Sequence, residues 1–141
     1  MTTQNSDEIY YETSTWTPTV VGQGTAGTTT YNAQNGYFTR IGNIIFCFGY
    51  VDIASATGSG NFLLGGLPYT ISNSSGASAT GTVAYATGRM AYPASRTNLC
   101  LIGIQNSKTA NIACSASAQT QSLLQIANTA SQYYFQITYF I

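Results

Sequence analysis

Three observations predict an all-β fold, an antiparallel sandwich of about seven to nine strands. No window carries a helical period, and the strong helix formers Glu and Lys are nearly absent from the 141 residues. Short apolar runs are punctuated by turns rich in Gly, Ser and Asn. The chain closes on Gln132-Tyr133-Tyr134-Phe135-Gln136-Ile137-Thr138-Tyr139-Phe140-Ile141, whose period of two puts Tyr133, Phe135, Ile137, Tyr139 and Ile141 on one face of a strand.

The elements follow in order. Residues 1–13 read as a short extended arm, acidic and then aromatic (Asp7-Glu8-Ile9-Tyr10-Tyr11-Glu12), ahead of a single domain at 14–141. A chain of this length buries a core without covalent staples. Residues 15–21 open the sheet, with Pro18 suited to an edge or a strand start. After a Gly/Thr loop, 29–32 and 37–41 flank Asn35-Gly36, the strongest short hairpin signal. Residues 43–54 form the clearest strand. Its even positions (Ile44, Phe46, Phe48, Tyr50, Asp52) and its odd ones (Ile45, Cys47, Gly49, Val51, Ile53) are both apolar for most of their length. A strand with one wet face alternates apolar and polar residues. Both faces are therefore expected to be covered, one by the opposing sheet and one by another subunit. Thr57-Gly58-Ser59-Gly60 is a turn, and 72–80 a soft surface loop. Further strands are expected at 82–87, 98–105 and 111–117, with 121–126 ambiguous.

Composition narrows the function. Charged residues are 6% of the chain, against about 25% in ordinary soluble proteins. Four basic and four acidic residues leave no electrostatic footprint for nucleic acid or an anionic membrane surface. No apolar run reaches the ~20 residues that span a bilayer, so no membrane insertion is expected. The first residues lack the basic and apolar regions of a signal peptide, which implies synthesis in a cytoplasm. There is no histidine, and between Thr13 and Ile141 the only carboxylate is Asp52. General acid–base work needs His or paired carboxylates, and Ser or Cys needs a base to activate it. No enzyme, cofactor or metal site is expected. Cys47, Cys100 and Cys114 have no CxxC spacing and read as free thiols acting as small hydrophobes.

Three segments, in order and spacing, carry a resemblance: Thr15-Trp16-Thr17-Pro18-Thr19-Val20, Gly36-Tyr37-Phe38-Thr39-Arg40-Ile41-Gly42-Asn43, and Gly58-Ser59-Gly60-Asn61-Phe62-Leu63-Leu64-Gly65-Gly66-Leu67-Pro68-Tyr69. Together they resemble the C-terminal β-sandwich domain at the distal end of tailed-bacteriophage tail fibres and tailspikes, over residues 14–141. The resemblance implies a homotrimeric knob with roles in trimerisation and host-surface recognition. Members of that family carry a docking region and a shaft before the knob, whereas here the arm alone precedes it. The expectation is therefore a trimeric virion protein that decorates and cements the outer capsid, with the major capsid protein or another virion protein as partner and some retained glycan adhesion. The alternative is a distal receptor-binding knob that binds host surface polysaccharide.

Candidate sites follow from these readings. Asp7, Glu8, Ile9, Tyr10, Tyr11 and Glu12 are candidates for a capsid-contact arm. Tyr69, Tyr85, Arg89, Tyr92 and Arg96 are candidates for glycan contact, because Tyr offers broad contact at low entropy cost and Arg reads carboxylates bidentately. Ile45, Cys47, Val51, Tyr134 and Phe140 are assigned to the trimer interface. Trp16 reads as a packing residue rather than a sugar platform. Asp52 reads as a strand-end carboxylate, solvated or paired with Arg40, Arg89, Arg96 or Lys108.

Overall fold

A computed structural model describes residues 9–76, 78–85, 98–117, 120–126 and 130–141, the side chain of Tyr85 excepted. The regular elements among them are strands: β1 (Tyr11–Trp16), β2 (Thr19–Gly22), β3 (Thr29–Ile41), β4 (Ile44–Ala56), β5 (Phe62–Gly65), β6 (Thr80–Tyr85), β7 (Asn98–Ile104), β8 (Thr109–Ser115), β9 (Ser122–Leu123) and β10 (Ser131–Phe140). They pair in the order β1-β3-β4-β10-β6-β7-β8-β5-β2, with β9 on β8. All the ladders are antiparallel. The sheet curls so that β1-β3-β4-β10-β6 faces β7-β8-β5-β2, which is the predicted sandwich. Phe62 of β5 meets Tyr133 of β10 edge to face across the core, with ring centroids 5.0 Å apart.

The strand count reflects two departures from local signals. The run expected at 15–21 divides into β1 and β2 around Thr17-Pro18, because proline has no N–H for a ladder. Asn35-Gly36 is not a hairpin turn; it lies in the middle of β3, where both residues pair with β4 and Gly36 also pairs with Trp16 of β1. The turn is instead Gly42-Asn43, which joins Ile41 to its partner Ile44. Gly42 has φ 58° there, as the first central position of a type II′ turn requires.

The reason Gly36 belongs inside a strand is visible across the sheet. Trp16, Gly36, Gly49 and Phe135 form one cross-strand row over β1, β3, β4 and β10. Trp16 and Phe135 meet above the two glycines with centroids 6.0 Å apart. The indole Nε1–H donates to the Phe48 carbonyl at 3.1 Å. A Cβ on Gly36 would lie 2.6 Å from both the Trp16 Nε1 and its carbonyl oxygen, and one on Gly49 would lie 2.2 Å from the Phe135 ring. The glycines are the floor on which two large rings pack. Trp16, buried and hydrogen-bonded, is a packing residue as expected.

The core corrects one assignment. Ile45, Cys47 and Val51, proposed from sequence for the trimer interface, are wholly buried inside this chain. The odd positions of β4 carry the compact aliphatic and thiol side chains that fill the space between the two wings. Each such side chain contributes about 1.5–3 kcal/mol when fully buried. The alternation expected for the last strand holds: Tyr133, Phe135, Ile137 and Tyr139 point inward. Cys47 and Cys114 are buried free thiols, and Cys100 is half-buried and free. Asn111, a buried polar side chain, donates to the Phe62 carbonyl at 3.0 Å.

The glycine floor makes a stability prediction. Gly36→Ala and Gly49→Ala should each destabilise the fold by about 1–3 kcal/mol through overpacking, measured by urea denaturation. Gly42→Ala meets open space and should cost only the left-handed backbone penalty of about 1–2 kcal/mol. If Gly49→Ala were neutral, the packed row would not be a constraint.

Candidate interaction face

With the odd positions of β4 turned inward, its even positions look out. Ladder registers build two adjacent rows on the outer surface. One row is Asn35, Tyr50, Tyr134 and Ala84; the next is Tyr37, Phe48, Gln136 and Thr82. Together they line a shallow groove of about 370 Å³. Tyr50 and Tyr134 stack at 4.5 Å with their planes 28° apart. Desolvation beside its neighbours, then the Asp52 carboxylate and Tyr134, hold the Tyr50 phenol above its ordinary pKa. A further row of the same face carries Tyr11, Ile41, Ile44 and Phe140. Tyr37 and Tyr11 are about two-thirds exposed, and Phe48, Tyr134 and Phe140 about half. The second apolar face of β4 is thus real but lies open within this chain.

Asp52 closes one end of the face. Its carboxylate accepts from the Asn32 amide at 3.2 Å and the Gln132 amide at 3.0 Å. Gln132 is its direct partner on β10. Two of the cations considered as its partners are engaged elsewhere. Lys108 Nζ donates to the Pro68 carbonyl at 3.0 Å, and Arg40 belongs to a separate cluster. Among the described residues no group of three His, Cys, Asp or Glu side chains comes together.

That separate cluster fastens the start of β1 to the body. The Arg40 guanidinium sits over the rings of Tyr10 and Tyr69, 4.4 and 5.0 Å from their centroids. Its Nε donates to the Gly42 carbonyl at 2.8 Å. Glu12 accepts from both phenols, a short bond from Tyr69 and one of 3.2 Å from Tyr10. The hydrogen bond to Glu12, followed by its charge, raises the Tyr10 pKa. Below them the Tyr69 N–H donates to the Tyr139 hydroxyl at 3.3 Å. Burial pushes the neighbouring Cys47 thiol up to about 12 and raises the Tyr139 phenol strongly.

The sequence-predicted residues therefore separate. Tyr69 joins Glu12 and Tyr10 in the cluster that holds the chain's first strand, away from the aromatic groove. Tyr11 and Glu12 lie in β1, paired with Ile41 and Arg40. Ile9, Tyr10 and Tyr11 are exposed. Asp7 and Glu8 lie outside the described residues, as do Arg89, Tyr92 and Arg96. Of Tyr85 the backbone alone is described, opposite Tyr133. Tyr134 and Phe140 do lie on the outer face, but Ile45, Cys47 and Val51 do not. Reading by residue missed Tyr37, Phe48, Tyr50 and Gln136. The even positions of the strand at 43–54 carry Phe46, Phe48 and Tyr50, but with both faces apolar that run alone does not say which of them looks out.

No family model matches the chain, and no curated protein matches it in sequence. Among solved structures it is similar to the crystal structure of the Dettilon tailspike protein, with a TM-score of 0.68 at 16% identity over 92% of this chain. It spans 23% of that tailspike's length. The likeness establishes a shared fold, a tailspike-type β-sandwich.

The buried acids predict alkaline lability. Cys47 keeps its proton to about 12 when folded, against an ordinary value of 9.0. Between those values the folded state holds a proton that the unfolded state has lost. Stability is fully present below pH 9 and falls as pH rises, by roughly 1.4 kcal/mol per pH unit from this thiol. Tyr133 and Tyr139, also raised by burial, add to the loss above about pH 10. Urea melts at pH 7, 9 and 10.5 should show the decline, and Cys47→Ala should flatten its onset near pH 9.

Proposed function

We propose that this chain is a bacteriophage virion structural protein, a homotrimeric β-sandwich knob displayed on the particle surface that contacts the host. The observation that supports it most is the tailspike-type fold across 92% of the chain. Its surface fits that reading. A near-absence of charge and a sheet face of Tyr, Phe, Thr, Asn and Gln make broad neutral contact. Catalysis has no part in the proposal, since Asp52 is held by two neutral amides.

A second reading, capsid decoration, draws on a different observation. Ile9, Tyr10 and Tyr11 are exposed just where the chain enters β1, and Arg40 and Glu12 hold Tyr10 in place. An apolar segment presented this way suits docking on a virion protein, with the acidic residues before it.

Location on the particle tests both. Antibody-gold labelling and quantitative mass spectrometry of purified virions should find a few copies per particle, lost with the tail. Hundreds of copies retained on tailless heads would replace the knob reading with decoration. Absence from purified virions would overturn both.

A further inference from the structure

The large apolar side chains that this chain leaves exposed are distributed unevenly. Among the described residues they are Ile9, Tyr10, Tyr11, Tyr37, Ile41, Phe48, Tyr134 and Phe140. The last six all lie on the outer surface of β1-β3-β4-β10, in register with one another. None lies on β2, β5, β7 or β8, the strands of the opposing wing. On that wing the corresponding large aliphatic side chains, Val21, Leu63, Ile102 and Ile104, are half-buried.

The size of the patch decides what covers it. Its five aromatic rings are between 45% and 66% exposed. At ~200 Å² per ring they present roughly 500 Å² of largely apolar surface. A soluble monomer seldom exposes a contiguous patch of more than a few hundred Å². A stable protein interface takes about 800 Å² from each partner. The rings supply more than half of that, and the Ile, Thr, Asn and Gln side chains between them extend it. A single small ligand in the 370 Å³ groove would leave the Tyr11, Ile41 and Phe140 row bare.

Electrostatics points to a copy of the same chain. A face brought against its own copy normally suffers like-charge repulsion. Here Asp52 is the one ionic side chain in the described rows, and it sits at the end, held by the Asn32 and Gln132 amides. The interior of the face offers hydroxyls, amides and rings, which pair with themselves. Asn35 and Gln136 have no side-chain hydrogen bond to another described residue, whereas Gln34, on the inward side of β3, donates to the Pro18 carbonyl.

We propose that the outer face of β3, β4 and β10, centred on Tyr37, Phe48 and Tyr134, is the surface through which copies of this chain associate. The inference rests on the oligomeric part of the reading above and places the contact on the even positions of β4. The core-forming odd positions take no part. Closure of these contacts around a three-fold axis gives a discrete trimer, not a fibre.

Mass in solution tests it. Wild-type protein should sediment as a multiple of 14.9 kDa. A Phe48→Lys/Tyr134→Lys double variant should fall to the monomer mass while keeping a β-type circular dichroism spectrum. Each lysine should weaken association by roughly 30-fold or more, as loss of a central interface anchor does. Hydroxyl-radical footprinting of the unsubstituted chain keeps the test open where the variant does not fold. Oxidation of Tyr37, Phe48 and Tyr134 should drop several-fold between dilute and concentrated samples, and that of Tyr10 should not. A wild-type monomer at all concentrations overturns the proposal. So does an oligomer that leaves those three residues fully oxidisable, or a monomer whose groove resonances shift with a neutral oligosaccharide such as maltotriose. Each of these outcomes is independent of where the protein sits on a virion, so the location reading stands or falls separately.

Discussion

The packing of Trp16 against Phe135 over Gly36 and Gly49 is the constraint on which the rest of the structure depends. It locks four neighbouring strands in one register, because only that register sets two side-chain-free positions beneath two large rings. A slip by one residue would turn every side chain of β4 and β10 to the opposite face. The indole's hydrogen bond to the Phe48 carbonyl adds a directional tie, so the row is fixed along the strands as well as across them.

Once that register is set, the outer surface follows without further choice. The strand period sends Ile45, Cys47 and Val51 inward and Phe46, Phe48 and Tyr50 outward. The partner strand β10 does the same, burying Tyr133, Phe135 and Ile137 and exposing Tyr134, Gln136 and Phe140. The core row and the open aromatic rows are thus two consequences of one alignment. The structure also binds its beginning to its end. Glu12 and Arg40 clasp Tyr69. Tyr69 in turn rests on Tyr139 of the last strand.

The fold class was legible because it depends on periodicity and turn chemistry, which are local. The inward set of the last strand was legible for the same reason. Asn35-Gly36 was misleading: the dipeptide has the strongest local preference for a hairpin turn, yet two flanking ladders and the Trp16 contact outweigh it. The face of β4 that meets the core was equally undecidable from its own run, since both faces are apolar. Choosing between them needs the identity of the strand across the sheet, and β10 lies about 80 residues further along the chain.

By itself the sequence determined the β architecture, the final strand with its buried alternation, the charge-poor composition and a body with no histidine and Asp52 as its lone carboxylate. Each is a property of composition or of neighbours along the chain. Tertiary structure alone decided which apolar face is core, where Gly36 sits, that Tyr69 pairs with Glu12, and that Asp52 is held by amides. These depend on cross-strand register, a relation between distant segments. Trp16, Gly36, Gly49 and Phe135 establish that relation only when the sheet has formed.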